Sequence, residues 1–211
     1  MNWRNPIISS RAFSSDADKV LELSKEYMRG FWESGGACVM KHFPGDGVDE
    51  RDQHLSASVN TLSISKWKKT FGKVYKGMIR AGVQGVMAGH IMFPAYQKAK
   101  GEKLLPATLS KCLLTDLLRG ELGFNGLIIT DASHMTGLSS FMKREFLVPS
   151  VIAAGCDMFL FANDYEEDIG YMRKGFESGI LTKERLSEAV TRILAFKAML
   201  KLHTTPKENL V

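Results

Sequence analysis

Short apolar runs alternate with amphipathic stretches along this chain, and the alternation predicts its elements. Ala37-Cys38-Val39-Met40-Lys41 reads as a buried strand, and Gly85-Val86-Met87-Ala88-Gly89 as a second. Gly126-Leu127-Ile128-Ile129-Thr130 reads as a third and Asp157-Met158-Phe159-Leu160-Phe161 as a fourth. The third run has no polar alternation, as expected of a parallel strand covered on both faces. The pattern between the strands predicts helices over 65–81, 110–119 and 141–154. One more precedes them at 17–34, and two close the chain at 166–178 and 183–202. Local signals agree. Ser15 and Asp16 precede the first helix, Pro106 and Ser110 supply a turn and a capping hydroxyl, and Thr182 caps the last helix after Gly179. In that last helix Leu186, Ala189, Val190, Ile193 and Leu194 form one core-facing stripe.

Strands alternating with helices, joined by right-handed crossovers, give an α/β chain with a parallel sheet. Such a sheet either stays open and doubly wound or closes into a barrel. The unusual residues separate the two. Lys41-His42, His90 and Asp131 all fall at C-terminal strand ends. An open sheet concentrates its site at one switch point, whereas a barrel gathers residues from many strand ends around one axis. The expected fold is therefore a (β/α)8 TIM-barrel type, incomplete, with about four parallel strands against the eight of a closed barrel.

Composition narrows this only slightly. The 211 residues are 45% hydrophobic, which suits a single domain over 1–211 with its own core. The formal charge is +5, but Lys and Arg are scattered and the densest stretch, 66–76, reads as the solvated face of a helix. No aromatic platform accompanies it, so nucleic acid is not an expected partner. Cys38, Cys112 and Cys156 are odd in number and lie in apolar surroundings, as small core residues of a reducing compartment do. There is neither a signal-peptide pattern nor an apolar run long enough to span a bilayer, so no membrane partner is expected and the location is read as cytoplasmic.

The chemistry-bearing residues cluster after the first and third strands. Lys41 and His42 can donate to hydroxyls or anions, although His42 also fits a satisfied histidine at a sheet rim. Lys41 is the harder to dismiss, because a buried ammonium needs a partner. The loop 45–55, Gly-Asp-Gly-Val-Asp-Glu-Arg-Asp-Gln-His-Leu, is acidic and reads either as a solvated loop or as the carrier of an Asp52–His54 pair. A carboxylate beside an imidazole fixes its tautomer and makes a proton donor and acceptor near neutral pH. Asp131 ends the most apolar strand, where it can cap a helix or serve as nucleophile, base or metal ligand. His134 and Met135 follow it into the same mouth, and His90 fits a structural role as well as substrate contact. An aspartate nucleophile with a His–Asp acid/base describes a retaining glycosidase in which histidine replaces the usual second carboxylate. A metal site of His42, His90 and Asp131 is the main rival. There is no GxSxG, Walker loop or GxGxxG to anchor other chemistries.

These segments resemble glycoside hydrolase family 3, in its β-N-acetylglucosaminidase branch, nearly end to end. The residues that carry the resemblance are Asn5-Pro6-Ile7-Ile8 with Arg11-Ala12-Phe13-Ser14-Ser15-Asp16, KHFPG at 41–45, Asp52-Gln53-His54, PATLS at 106–110, GFNGLIITD at 123–131 and AGCDMFLF at 154–161. The resemblance implies that Asp131 is the nucleophile, that Asp52 and His54 form the acid/base dyad, and that Arg11, Lys41 and His42 contact the sugar. It implies removal of terminal β-linked N-acetylglucosamine from chitin-derived or peptidoglycan-derived glycosides, with a small carbohydrate substrate and no cofactor or metal. A β-glucosidase, or a degenerate sugar-binding relative, is the alternative. Two departures stand out: Gly45-Asp46-Gly47-Val48 replaces a common Gly-His-Gly-Asp, and the family's first strands are lacking. Half a barrel exposes two sheet edges, so self-association or a complementing barrel segment is expected, and weak activity from the chain alone.

Overall fold

The computed structural model describes residues 2–204. Helix α1 (Ala17–Glu33) leads to strand β1 (Val39–Phe43), a loop, and the short strand β2 (Ser58–Val59). Helices α2 (Ile64–Lys69) and α3 (Phe71–Arg80) precede β3 (Gly85–Ala88), β4 (Ile91–Met92) and α4 (Pro94–Ala99). A 3-10 turn (Ala107–Leu109) and a π-helix (Cys112–Glu121) lead to β5 (Leu127–Ala132), then α5 (Thr136–Ser139) and α6 (Arg144–Ala154). Strand β6 (Met158–Leu160) and helices α7 (Tyr165–Glu177) and α8 (Lys183–Met199) complete the described chain.

The main sheet has the order β1-β3-β5-β6, with every pairing parallel. This is the expected incomplete (β/α)8-like barrel. A second, two-stranded parallel sheet, β2-β4, was not legible in the sequence; it ties the loop after β1 to the segment after β3. Where the β5–β6 register slips between Ile129 and Ala132, Thr130 takes over the ladder. Its hydroxyl accepts from the Leu160 amide at 2.8 Å and donates to the Leu160 carbonyl at 3.1 Å.

The core lies between this sheet and its helices, around Phe43, Trp67, Tyr75, Leu113, Leu117 and Ile128. It explains where the predicted helices break. The expected helix over 65–81 is two helices. Trp67 is buried edge-on against Phe43, and its indole N–H donates to the Pro44 carbonyl at 2.6 Å. Gly72 packs so closely under the Trp67 ring that a Cβ there would lie 2.8 Å from it. The chain bends at Thr70, whose hydroxyl returns to the carbonyls of Lys66 and Trp67. That bend lets Trp67 and Tyr75 both reach Phe43. The expected helix over 110–119 is π-helical, and that over 141–154 begins only at Arg144. The predicted caps hold: Asp16 accepts from Lys19, Ser110 from Leu113 and Thr182 from Arg185.

Strands β1 and β6 are the outer strands of the sheet. Apolar side chains stand exposed on both flanks. Tyr27, Phe31 and Trp32 lie on α1, and Phe161, Tyr165 and Ile169 follow β6. Cys112 and Cys156 are buried free thiols. Burial pushes both up, Cys112 to about 12 with help from Glu102. No helix among the described residues is long and apolar enough to cross a membrane.

Candidate active site at the strand ends

His42 is the penultimate residue of β1, with its side chain only 6% exposed, between two carboxylates. Its Nδ1 lies 3.2 Å from Asp46 Oδ2, and its Nε2 lies 3.6 Å from Asp131 Oδ2. Asp131 has its other oxygen occupied by the Ala132 amide at 2.8 Å, so Oδ2 is the oxygen that faces His42. Lys41 departs from expectation. It is exposed on the outer strand β1, and an ammonium left in water needs no partner.

The loop after β1 is acidic but not simply solvated. Asp46 is buried and accepts from the Gly47 amide at 2.8 Å and from Gln53 Nε2 at 2.9 Å. Asp49 accepts from the Ser58 hydroxyl and the Val59 amide, closing the loop on β2. Asn5 is fully buried and donates to the Asp49 carbonyl at 2.9 Å, which pins the N-terminal segment against the loop. Arg11, in that segment, is exposed.

Asp52 and His54 meet at the top of this loop. Asp52 Oδ1 lies 2.6 Å from His54 Nδ1 and also accepts the His54 amide at 2.9 Å. Burial pushes the Asp52 carboxyl up, but the two His54 N–H groups together outweigh it and hold it below the usual carboxylate value. An ionised Asp52 makes Nδ1 the protonated ring nitrogen and leaves Nε2 to exchange a proton with a ligand. The loop's backbone is docked onto the start of α5. Thr136 donates to the His54 carbonyl at 3.1 Å, and Gly137 to the Gln53 carbonyl at 3.2 Å. The dyad is thereby clipped to the turn that follows Asp131.

His90 is fully buried, and both ring nitrogens are engaged. Nε2 donates to the Ala132 carbonyl at 2.9 Å, so Nδ1 accepts from the Thr108 hydroxyl at 3.1 Å. Burial lowers its pKa despite the nearby Asp131 carboxylate, keeping the ring neutral. The expected substrate contact and the His42/His90/Asp131 metal trio both need a ring nitrogen that His90 does not have free. Met135 is also buried, at 3% exposure, and does not open onto the mouth. His134 is exposed, stacked against Phe161 with ring centroids 6.4 Å apart. Among the described residues no group of three or more His, Cys, Asp or Glu side chains is arranged to hold a metal ion.

Asp46, Gln53 and Gly137, none of them a candidate site residue on sequence, do most to hold the loop. A further support lies beneath the site. Arg144 donates to both oxygens of Asp168 and to the Ser133 hydroxyl, and Ser133 donates to the Phe161 carbonyl. Only Gln53, lying between the dyad residues, offered a positional signal.

Residues 1–196 match the model of the glycosyl hydrolase family 3 N terminal domain. The chain belongs to glycoside hydrolase family 3. It is 54% identical over 208 residues to a beta-N-acetylglucosaminidase/beta-glucosidase of Cellulomonas fimi, covering 96% of this chain and 37% of that protein. Beta-hexosaminidase A of Pseudoalteromonas piscicida is 30% identical, over 94% of this chain and 36% of its own length. Among solved structures, the beta-glucoside phosphorylase BglX superposes with a TM-score of 0.95 at 42% identity, over 98% of this chain and 38% of that one. A family 3 β-N-acetylglucosaminidase from Paenibacillus sp. superposes with a TM-score of 0.90 at 32% identity, over 100% of this chain and 40% of that one. This family 3 chain therefore spans well under half the length of these relatives.

Proposed function

We propose that the chain carries the nucleophile and the acid/base of a retaining β-N-acetylhexosaminidase acting on terminal β-linked N-acetylglucosamine of chitin-derived or peptidoglycan-derived glycosides. The observation that carries the reading is the Asp52–His54 dyad, bonded at 2.6 Å and docked beside the Asp131 turn. In this reading Asp131 attacks the anomeric carbon while His54 protonates the leaving oxygen through Nε2. The dyad then takes a proton from water, which releases the sugar from Asp131. Ionised Asp52 stabilises the imidazolium that forms when His54 acts as base. The Ala132 amide orients Asp131, with the His42 ring beside it, and Arg11, Lys41 and His134 are the groups left exposed to meet the sugar. The test is hydrolysis of a nitrophenyl N-acetyl-β-glucosaminide followed by proton NMR. A β-anomer should appear first and Asp131→Ala should abolish turnover; first release of the α-anomer would sink the assignment.

A second reading has its own support. The structure matching at a TM-score of 0.95 is named a phosphorylase, and a histidine base is neutral when it receives an incoming nucleophile. A carboxylate in that place would repel phosphate, whereas an imidazole does not. Adding inorganic phosphate separates the two: a sugar 1-phosphate product marks phosphorolysis, and free sugar at an unchanged rate marks hydrolysis. A β-glucoside run beside the acetamido substrate tests the sugar. In both readings the exposed flanks of β1 and β6 need cover, from further barrel strands or a second copy. The isolated chain is expected to be weakly active.

A further inference from the structure

Gln53 stands between the two dyad residues, yet it faces the opposite way. It is 2% exposed, while the His54 side chain is 51% exposed. Both ends of its amide are used, each on a different element. Nε2 donates to Asp46 Oδ2 at 2.9 Å, at the root of the loop, and Oε1 accepts the His90 amide at 3.0 Å, beyond the end of β3. The backbone of the same residue accepts from Gly137 on α5. These contacts extend towards Asp131 from both ends. From His90 the ring reaches the Ala132 carbonyl, and the Ala132 amide reaches Asp131 Oδ1. On the Asp46 side the His42 ring stands between Asp46 Oδ2 and Asp131 Oδ2, at 3.2 Å and 3.6 Å, as a neighbouring charge partner rather than a hydrogen-bonded link.

We propose that Gln53 is a positioning residue, a latch that holds the loop of Asp52 and His54 shut in the register that faces Asp131. Resting on the reading of His54 as acid/base, this assigns the closed state of the loop to one buried side chain. Withdrawing the Gln53 amide leaves Asp46 Oδ2 without its donor and the His90 N–H without its acceptor, both buried, so the loop has a single well-satisfied position.

Three variants test it. Gln53→Met keeps the length and removes both hydrogen bonds. Gln53→Glu keeps the acceptor for His90 but sets a carboxylate against Asp46. Gln53→Glu combined with Asp46→Asn restores a donor–acceptor pair with the direction reversed. The first readout is hydrogen exchange at the Thr136 and Gly137 amides, which donate to the loop. Both single variants should speed exchange there at least tenfold, with Val86 and Ile128 amides in the sheet unchanged, and the double variant should return it toward wild type. Unchanged exchange at Thr136 and Gly137 overturns the latch. So does an equal rise across β3 and β5, which marks a packing role, or a double variant no better than the Glu variant alone. The second readout is kcat/KM for two glycosides. A leaving group that needs protonation should lose at least tenfold in Gln53→Met, and a dinitrophenyl leaving group that needs none should lose less than threefold. Equal losses overturn the link to His54. A chain that hydrolyses nothing refutes the proposed function, while the exchange data still decide the latch.

Discussion

The amide of Gly137 lies 3.2 Å from the carbonyl oxygen of Gln53 and donates to it. With the neighbouring Thr136–His54 bond, that contact joins the loop after β1 to the helix after β5, and so joins the dyad to the turn after Asp131. It also dictates the residue. A Cβ on residue 137 would sit 2.5 Å from the Gln53 carbonyl oxygen and 3.2 Å from that of Ser56, both backbone atoms that cannot rotate aside.

Gly137→Ala is accordingly expected to displace the loop. Overpacking of this kind costs about 1–3 kcal/mol. Urea denaturation should show the loss, and kcat/KM should fall with it at a temperature where the variant remains folded. A variant with wild-type stability and turnover would show that the loop does not need the close approach.

The dyad makes a prediction that depends on the leaving group. General acid–base catalysis contributes about 10²–10⁴-fold, so His54→Ala should lower kcat/KM on that scale for an alkyl glycoside and much less for a dinitrophenyl one. Asp52→Asn should follow the same pattern with a smaller loss, because the imidazole remains but its imidazolium is no longer stabilised. The folded-state pKa of Asp52 is depressed, so the interaction is complete above the ordinary value of 3.8 and fades only as pH falls through the lower folded value. Dyad geometry should therefore persist through the neutral range, as NMR of the His54 ring would show.

Much of this site could be read from sequence, for reasons the structure makes clear. Asp131 stands at the end of a run without polar alternation, and such runs become buried parallel strands. Asp52 and His54 are two apart in one loop, close enough that their contact needs no tertiary information. Gln53 was different, because its bond to His90 spans 37 residues and exists only once β1 and β3 pair. Lys41 was misread as buried because its exposure depends on β1 being an outer strand, which periodicity does not report. The break at Thr70 was hidden because the amphipathic pattern runs through it, while the bend is set by where Trp67 and Gly72 pack. His90 read as equally structural or functional, and only its two hydrogen bonds separate those roles.

His90 gives the molecule a stability that depends on pH. Burial lowers its pKa below the ordinary 6.5, against the raising influence of the Ala132 carbonyl and Asp131 and alongside the lowering influence of His42 and His54. At pH values between the folded and unfolded pKa the unfolded chain binds the extra proton, so stability rises with pH through that window. The contribution is complete above about 6.5 and is lost as pH falls below it. The measurement is the urea midpoint from pH 5 to pH 8 for wild type and for His90→Gln, which cannot titrate at that position. The wild-type midpoint should fall more steeply on acidification. Parallel curves would mean that His90 does not carry the dependence.

A last prediction concerns the opposite end of the sheet, where Asp157 precedes β6. Its side chain is fully buried and accepts from three donors, with a third guanidinium close by. Oδ2 accepts from Arg119 at 2.6 Å and from the Ile128 amide at 2.9 Å, Oδ1 accepts from Arg185 at 2.6 Å, and Arg192 lies 3.6 Å away. Three guanidiniums converge on this acid, and the exposed Glu188 is a second carboxylate for two of them, Arg185 and Arg192. Asp157→Asn keeps the shape and removes the charge, leaving partly buried cations uncompensated. Breaking one partner of such a buried cluster costs about 3–5 kcal/mol, a large share of the roughly 5–15 kcal/mol that holds a domain folded. The variant should therefore show a substantially lower urea midpoint. Because the cluster lies below the sheet and the dyad above it, the folded fraction should keep the wild-type kcat/KM at low temperature. A loss under about 1 kcal/mol would mean that the three arginines are solvated well enough to do without Asp157.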